Sequence, residues 1–143
     1  MLGEGGVYGS WAITQDEIVE FATRYDPQPF HVDPEAARGS IYGGLIASGL
    51  QSTAIASRLI IDGWLTHLAA MGSPGLEAMA LRNPVRPGDV LRARIEVIEL
   101  RPSRSRPDLG IVRYILQLLN QRDELILDTV AVIFVRRREP AAS

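Results

Sequence analysis

The sequence predicts an α+β fold in which an antiparallel sheet packs on one long helix. Apolar residues recur at helical spacing before position 61, whereas from Gly75 onward they alternate with polar ones at the period of two that half-buried strands require. Helices first and strands afterwards, joined by hairpin-length connections, is the order that such a fold produces.

The elements follow in chain order. Val7 to Ile13 can form a first strand. Thr14-Gln15-Asp16-Glu17 then reads as a capping box: the Thr14 hydroxyl accepts from the third amide, Glu17 reaches back, and an acidic first turn suits the helix dipole. Ile18, Phe21, Ala22 and Tyr25 form the apolar stripe of that helix, which stops at about Tyr25 because Pro27 and Pro29 follow. The segment Asp26 to His31 is expected to be a non-helical loop. Asp33-Pro34-Glu35 opens a short helix through Arg38, with proline at its first position.

Gly43-Gly44 breaks the chain ahead of the long helix, expected from Ser48 to Ile61. Ser48 with Gln51 forms a second capping-box pattern, which puts Gly49 at the first helical position with its amide unpaired. Ala47, Ser48, Gly49, Ser52, Thr53, Ala54, Ala56 and Ser57 keep this helix thin enough for a sheet to wrap it. Whether the helix continues beyond Gly63 toward Ala70 is left open by the pattern. Strands are expected over Gly75 to Asn83, around Leu91 to Val97, around Val112 to Leu118 and over Leu125 to Val135. Pro87-Gly88 makes a turn, and Arg101 to Asp108 makes a polar connection.

Composition bounds the chemistry. A chain of 143 residues fits a single domain over 1–143, with 136–143 expected to be a frayed tail. Cysteine and lysine are both absent, which excludes a thiolate nucleophile, disulfides, a cysteine-bound metal and a lysine Schiff base. Fifteen arginines face seventeen carboxylates, so no strong field draws the chain to nucleic acid or a membrane surface. The glycine-rich start does not read as a signal peptide and no apolar run spans a bilayer, so a soluble cytoplasmic protein is expected.

The chemistry-bearing stretch is Tyr25-Asp26-Pro27-Gln28-Pro29-Phe30-His31. Asp26 and His31 are five positions apart, about 140° around a helix and on opposite sides of a straight strand, so only a bend brings them together. The residues alone leave open a plainer reading in which Asp26 caps a turn and His31 anchors a loop.

Asp26-x-x-x-x-His31, Gly49 eighteen positions later, Ser57 eight further on and the Arg86-Pro87-Gly88-Asp89 turn together resemble the MaoC-like dehydratase family, known best for (R)-specific enoyl-CoA hydratases. The resemblance implies a hotdog fold assembled as a homodimer or a dimer of dimers. It implies reversible hydration of a trans-2-enoyl thioester, on coenzyme A or an acyl carrier, to the (R)-3-hydroxyacyl thioester, with no cofactor and no metal. Asp26 and His31 would flank the water, and the Gly49 amide would take the oxyanion. Phe30, Ser48 and Ser57 would contact the substrate, with Ser57 also orienting Asp26. The family pattern Gly-Asp-x-Asn-Pro-Leu-His departs here to Tyr25, Gln28 and Phe30, and Ser48 stands where a histidine commonly precedes the glycine.

Two other functions remain open: thioester hydrolysis, and a non-catalytic acyl-CoA-binding subunit. With only two histidines and no carboxylate near His67, a metal site is not expected. Arg82, Arg86, Arg104 and Arg106 have the fork that meets coenzyme A phosphates, against the plainer reading of solvated arginines. Trp11, Trp64 and Tyr42 are expected in the core or an interface, one of them with the option of lining an acyl pocket. Gly43-Gly44 lacks the strand and spacing of a phosphate loop.

Overall fold

The computed structural model describes residues 2–137. Five strands, β1 (Gly5–Ala12), β2 (Gly75–Leu81), β3 (Val90–Pro102), β4 (Leu109–Leu119) and β5 (Leu125–Arg136), form one antiparallel sheet in the order β1-β3-β4-β5-β2. Four helices accompany it: α1 (Gln15–Tyr25), α2 (Pro29–Val32), α3 (Pro34–Arg38) and α4 (Gly49–Gly63). The sheet wraps α4, which is the hotdog arrangement.

Alternation builds the inner face of the sheet. Leu91, Ala93, Ile95 and Val97 on β3 and Val112, Tyr114, Leu116 and Leu118 on β4 are buried, while Arg94 and Gln117 between them point outward and hydrogen-bond each other at 2.6 and 2.9 Å. Ile55, Ala56, Leu59 and Ile60 of α4 complete the core. Each fully buried aliphatic side chain contributes on the order of 1.5–3 kcal/mol. Small residues let α4 come close to the sheet: a Cβ on Gly63 would meet the Tyr8 ring at 2.4 Å.

Several local expectations hold. Glu17 N–H donates to the Thr14 hydroxyl at 3.1 Å and Thr14 N–H to the Glu17 carboxylate at 3.2 Å, so the capping box forms on both sides. Trp11 adds an indole hydrogen bond to the same carboxylate at 3.0 Å. Asp33 caps α3 through Glu35 and Ala36. Gly88, at φ +88°, takes the left-handed corner of the Pro87-Gly88 turn, closed from Asp89 N–H to Arg86 O at 3.1 Å.

Other details differ from expectation. β3 runs on to Pro102, because it continues pairing with β4 beyond a bulge between Val97 and Glu99. α4 continues to Gly63 and then leaves helical geometry for a single 3-10 turn, Leu65–His67. At the start of the tail expected over 136–143, Arg136 pairs with Leu109 and Arg137 N–H reaches Asp108 O at 2.9 Å; 138–143 lie outside the described residues. The second capping box forms on one side only. Ser48 caps α4 through Leu50 N–H at 3.2 Å, but the Gln51 amide turns away to donate to Glu17 O at 3.3 Å, tying α4 to α1.

Candidate active site

The site begins where α1 has to end. Pro27 bars helical geometry for Asp26, which sits at φ −157°, ψ 66°, with its N–H still bonded to Ala22 O at 2.8 Å. Gln28 N–H then bonds Asp26 O at 2.7 Å, and Gln28, extended ahead of Pro29, becomes the N-cap of α2.

This corrects the expectation of a wholly non-helical loop. Proline removes an amide that a first-turn residue does not use, so Pro29 starts α2 instead of blocking it. The turn followed by one turn of helix reverses the chain, and His31 returns to Asp26 with Nε2 at 3.3 Å from Oδ2.

His31 is 5% exposed, and its Nδ1 lies 2.7 Å from Ile46 O. A carbonyl only accepts, so the Nδ1 hydrogen points at Ile46, and the neutral ring has its lone pair on Nε2, facing Asp26. The Ile46 carbonyl is itself fixed, because Ile46 N–H bonds Phe30 O at 3.1 Å and Ala47 N–H bonds Val85 O at 2.8 Å. The same short segment leads into α4, whose first residue is Gly49.

As the first residue of its helix, Gly49 has an amide with no intrahelical partner, and among the described residues it makes no other hydrogen bond. A Cβ at this position would lie 2.4 Å from Leu81 Cδ1, so glycine is what lets β2 close over the helix start. Asp26, Gln28, Phe30, His31, Tyr42 and Gly49 share the wall of one cavity of about 400 Å³ with Leu81 and Val85.

Residues 8–117 match the MaoC like domain, more than half of the chain. The chain belongs to the MaoC-like dehydratase family. A MaoC-like dehydratase from Rhodospirillum rubrum superposes with a TM-score of 0.90 at 39% identity, covering 98% of this chain and 95% of that one. A 3-hydroxybutyryl-CoA dehydratase from Methylorubrum extorquens is 30% identical over 131 residues, 90% of this chain and 77% of the relative. Uncharacterized protein YdeM of Bacillus subtilis is 31% identical over 128 residues, 90% of this chain and 89% of the relative. At the level of the family, the role is that of a hydratase or dehydratase.

Within this MaoC-like chain, Asp26, His31, Gly49 and Phe30 line one cavity. Ser57 does not reach them. It lies eight residues into α4 from Gly49, about 12 Å at helical rise, and outside the cavity wall.

The partners of the Asp26 carboxylate are instead Gln28 Nε2, which donates to Oδ1 at 2.6 Å, and Ser48 Oγ, which donates to Oδ2 at 2.7 Å. The Gln28 amide first and then the Ser48 hydroxyl hold this carboxyl below its ordinary value against the opposing effect of burial. Sequence reading missed Gln28 as a partner although it stands two positions from Asp26, the spacing of a local turn. The Ile46 carbonyl had no signal at all, since any residue type supplies one.

Arg82 lines the cavity and lies 3.7 Å from the Asp128 carboxylate, Arg86 donates to Tyr42 O at 2.7 Å, and Arg106 pairs with Asp108 within the β3–β4 connection. Tyr42 lines the cavity beside Phe30, the two rings 5.5 Å apart. Trp64 is core, packed edge-on against Tyr114, and His67 is exposed in the 3-10 turn.

What the arrangement can do follows from its lone pairs. Nε2 of a neutral His31 and Oδ2 of an ionised Asp26 are two acceptors 3.3 Å apart, and they repel unless hydrogen is supplied. A water satisfies both by donating one hydrogen to each, which leaves its oxygen lone pairs directed away from the pair and toward the cavity.

Proposed function

We propose that this protein reversibly hydrates a trans-2-enoyl thioester, most naturally an enoyl-CoA, to the (R)-3-hydroxyacyl thioester. The observation that carries the reading is the Asp26–His31 pair on the wall of a cavity that is also lined by Gly49, the first residue of α4. The stereochemistry is taken from likeness to the family.

Each step has a residue. The Asp26–His31 pair orients one water and accepts a proton from it as its oxygen bonds C3. The C2=C3 π electrons move toward the thioester, and the charge that builds on its oxygen is received by Gly49 N–H, reinforced by the positive end of α4. The proton held by the pair then passes to C2. One O–H bond breaks while C3–O and C2–H bonds form, so the balance closes with water alone and asks for no cofactor. Phe30, Tyr42, Leu81 and Val85 supply an apolar wall for the acyl chain.

Crotonyl-CoA tests the reading. Its enoyl absorbance is expected to fall on addition of enzyme, with no release of free thiol and with 3-hydroxybutyryl-CoA as product. Thiol release without loss of the enoyl band would assign thioester hydrolysis instead, and neither signal across a range of acyl chains would point to a binding subunit.

The same reading includes a two-fold dimer. β2 is an edge strand of the sheet and exposes Leu76, Met79 and Leu81, each about half accessible, beside the cavity. An unpaired apolar edge is a liability that association removes. Sedimentation velocity at micromolar concentration is expected to give the mass of at least two chains; a monomer would contradict this.

A further inference from the structure

We propose that Ser48 is a positioning residue that ties the Asp26 carboxylate to the first turn of α4, so that the acid and the oxyanion amide are held as one unit. This rests on the hydration reading above.

Ser48 is completely buried, and both roles of its hydroxyl are used. The hydrogen goes to Asp26 Oδ2 at 2.7 Å, and the oxygen accepts Leu50 N–H at 3.2 Å as the N-cap of α4. Ser48 is also the residue bonded to Gly49. The spacing between the carboxylate and the Gly49 amide is therefore set by two consecutive residues rather than by the long path through α2, α3 and the glycine turn.

Oδ2 is the oxygen that faces His31 Nε2, so the Ser48 hydrogen fixes the plane of the carboxylate where the water must sit. A hydrogen bond to an ionised acceptor is among the stronger ones, and it favours the ionised carboxylate. The second grip, from Gln28 on Oδ1, lies on an exposed side chain where water competes. The buried one has no such competitor.

A serine at this position has a plain structural role as a helix cap, and the two roles separate by substitution. Glycine is nearly as good an N-cap as serine but has no hydroxyl, so Ser48→Gly removes the bond to Asp26 while leaving the cap almost intact. Ser48→Thr keeps both. The experiment measures kcat and KM for crotonyl-CoA hydration and follows the Asp26 carboxyl by carbon-13 NMR titration in the full-length protein.

For Ser48→Gly, kcat is expected to fall roughly 10- to 100-fold with KM little changed, as a displaced catalytic group does. The Asp26 titration is expected to move to higher pH with the melting temperature near wild type, and Ser48→Thr to restore both readings. An unmoved Asp26 titration in Ser48→Gly, whatever happens to activity or melting, overturns the proposal and leaves a cap alone. If wild-type protein hydrates no enoyl thioester but the titration moves as expected, the hydration reading fails and the tie between Ser48 and Asp26 stands.

Discussion

His31→Ala is expected to lower kcat for enoyl-CoA hydration by about 10²–10⁴-fold, the usual contribution of a general acid–base group. The ring has two separate functions, however, and alanine removes both. Nδ1–H satisfies the Ile46 carbonyl at 2.7 Å, and a buried carbonyl left without a donor costs on the order of 1–3 kcal/mol, so part of the loss would come from a loosened α4 start. His31→Asn distinguishes the two. Its amide nitrogen falls near the place of Nδ1 and can donate to Ile46, but nothing replaces Nε2. The expected result is a melting temperature closer to wild type than that of His31→Ala, with kcat as low. Asp26→Asn is expected to lose activity to a similar degree, because its side chain presents one acceptor and one donor where the water needs an acceptor. Activity within a few-fold of wild type in either His31 variant would remove the imidazole from the chemistry.

Gly49→Pro carries the second large effect. Proline lacks the amide hydrogen that would meet the thioester oxygen, and loss of one oxyanion donor costs about 10²–10³-fold in kcat. Ordinarily proline in a helix would be ruinous, but Gly49 is the first helical residue, where proline is favoured. The residue before proline must be extended, and Ser48 already is, at φ −58°, ψ 141°. The conflict that remains is with Leu81 Cδ1, at 2.4 Å from an added Cβ. Since that atom is the end of a flexible side chain, Gly49→Pro combined with Leu81→Ala relieves it. The pair is expected to fold with helix content near wild type and to show the kcat loss, whereas Leu81→Ala alone retains the amide and its rate advantage. Full activity in the proline variant would place the thioester oxygen elsewhere.

Much of this was readable before any coordinates. The Thr14–Glu17 box, the proline at the start of α3 and the two-residue alternation of β3 and β4 are local signals, and each formed where the residues said it would. Asp26, His31 and Gly49 were readable through their spacing and the family it resembles, not through periodicity, which says nothing about convergence across a bend. Pro29 was misread because proline was weighed as a breaker, although the same missing amide makes it a good first residue.

The misassigned serine has a geometric cause. Ser57 and Ser48 belong to the same helix and sequence spacing does not say which end meets Asp26, but a rise of about 1.5 Å per residue leaves only the first turn within reach. Edge strand β2 was legible as a segment, expected over Gly75 to Asn83 and found over Gly75–Leu81, but not in its pairing. Its register shifts between Glu77 and Ala80, so the alternation a strand would show is interrupted in its middle.

The most direct test is a structure of the wild-type protein with 3-hydroxybutyryl-CoA bound, because the 3-hydroxyl of that product marks where the attacking water stood. The hydroxyl oxygen should lie within hydrogen-bond reach of both His31 Nε2 and Asp26 Oδ2, with the thioester oxygen on Gly49 N–H. A 3-hydroxyl turned away from the pair, or a thioester oxygen bonded to some other donor, would contradict a shared water facing the start of α4.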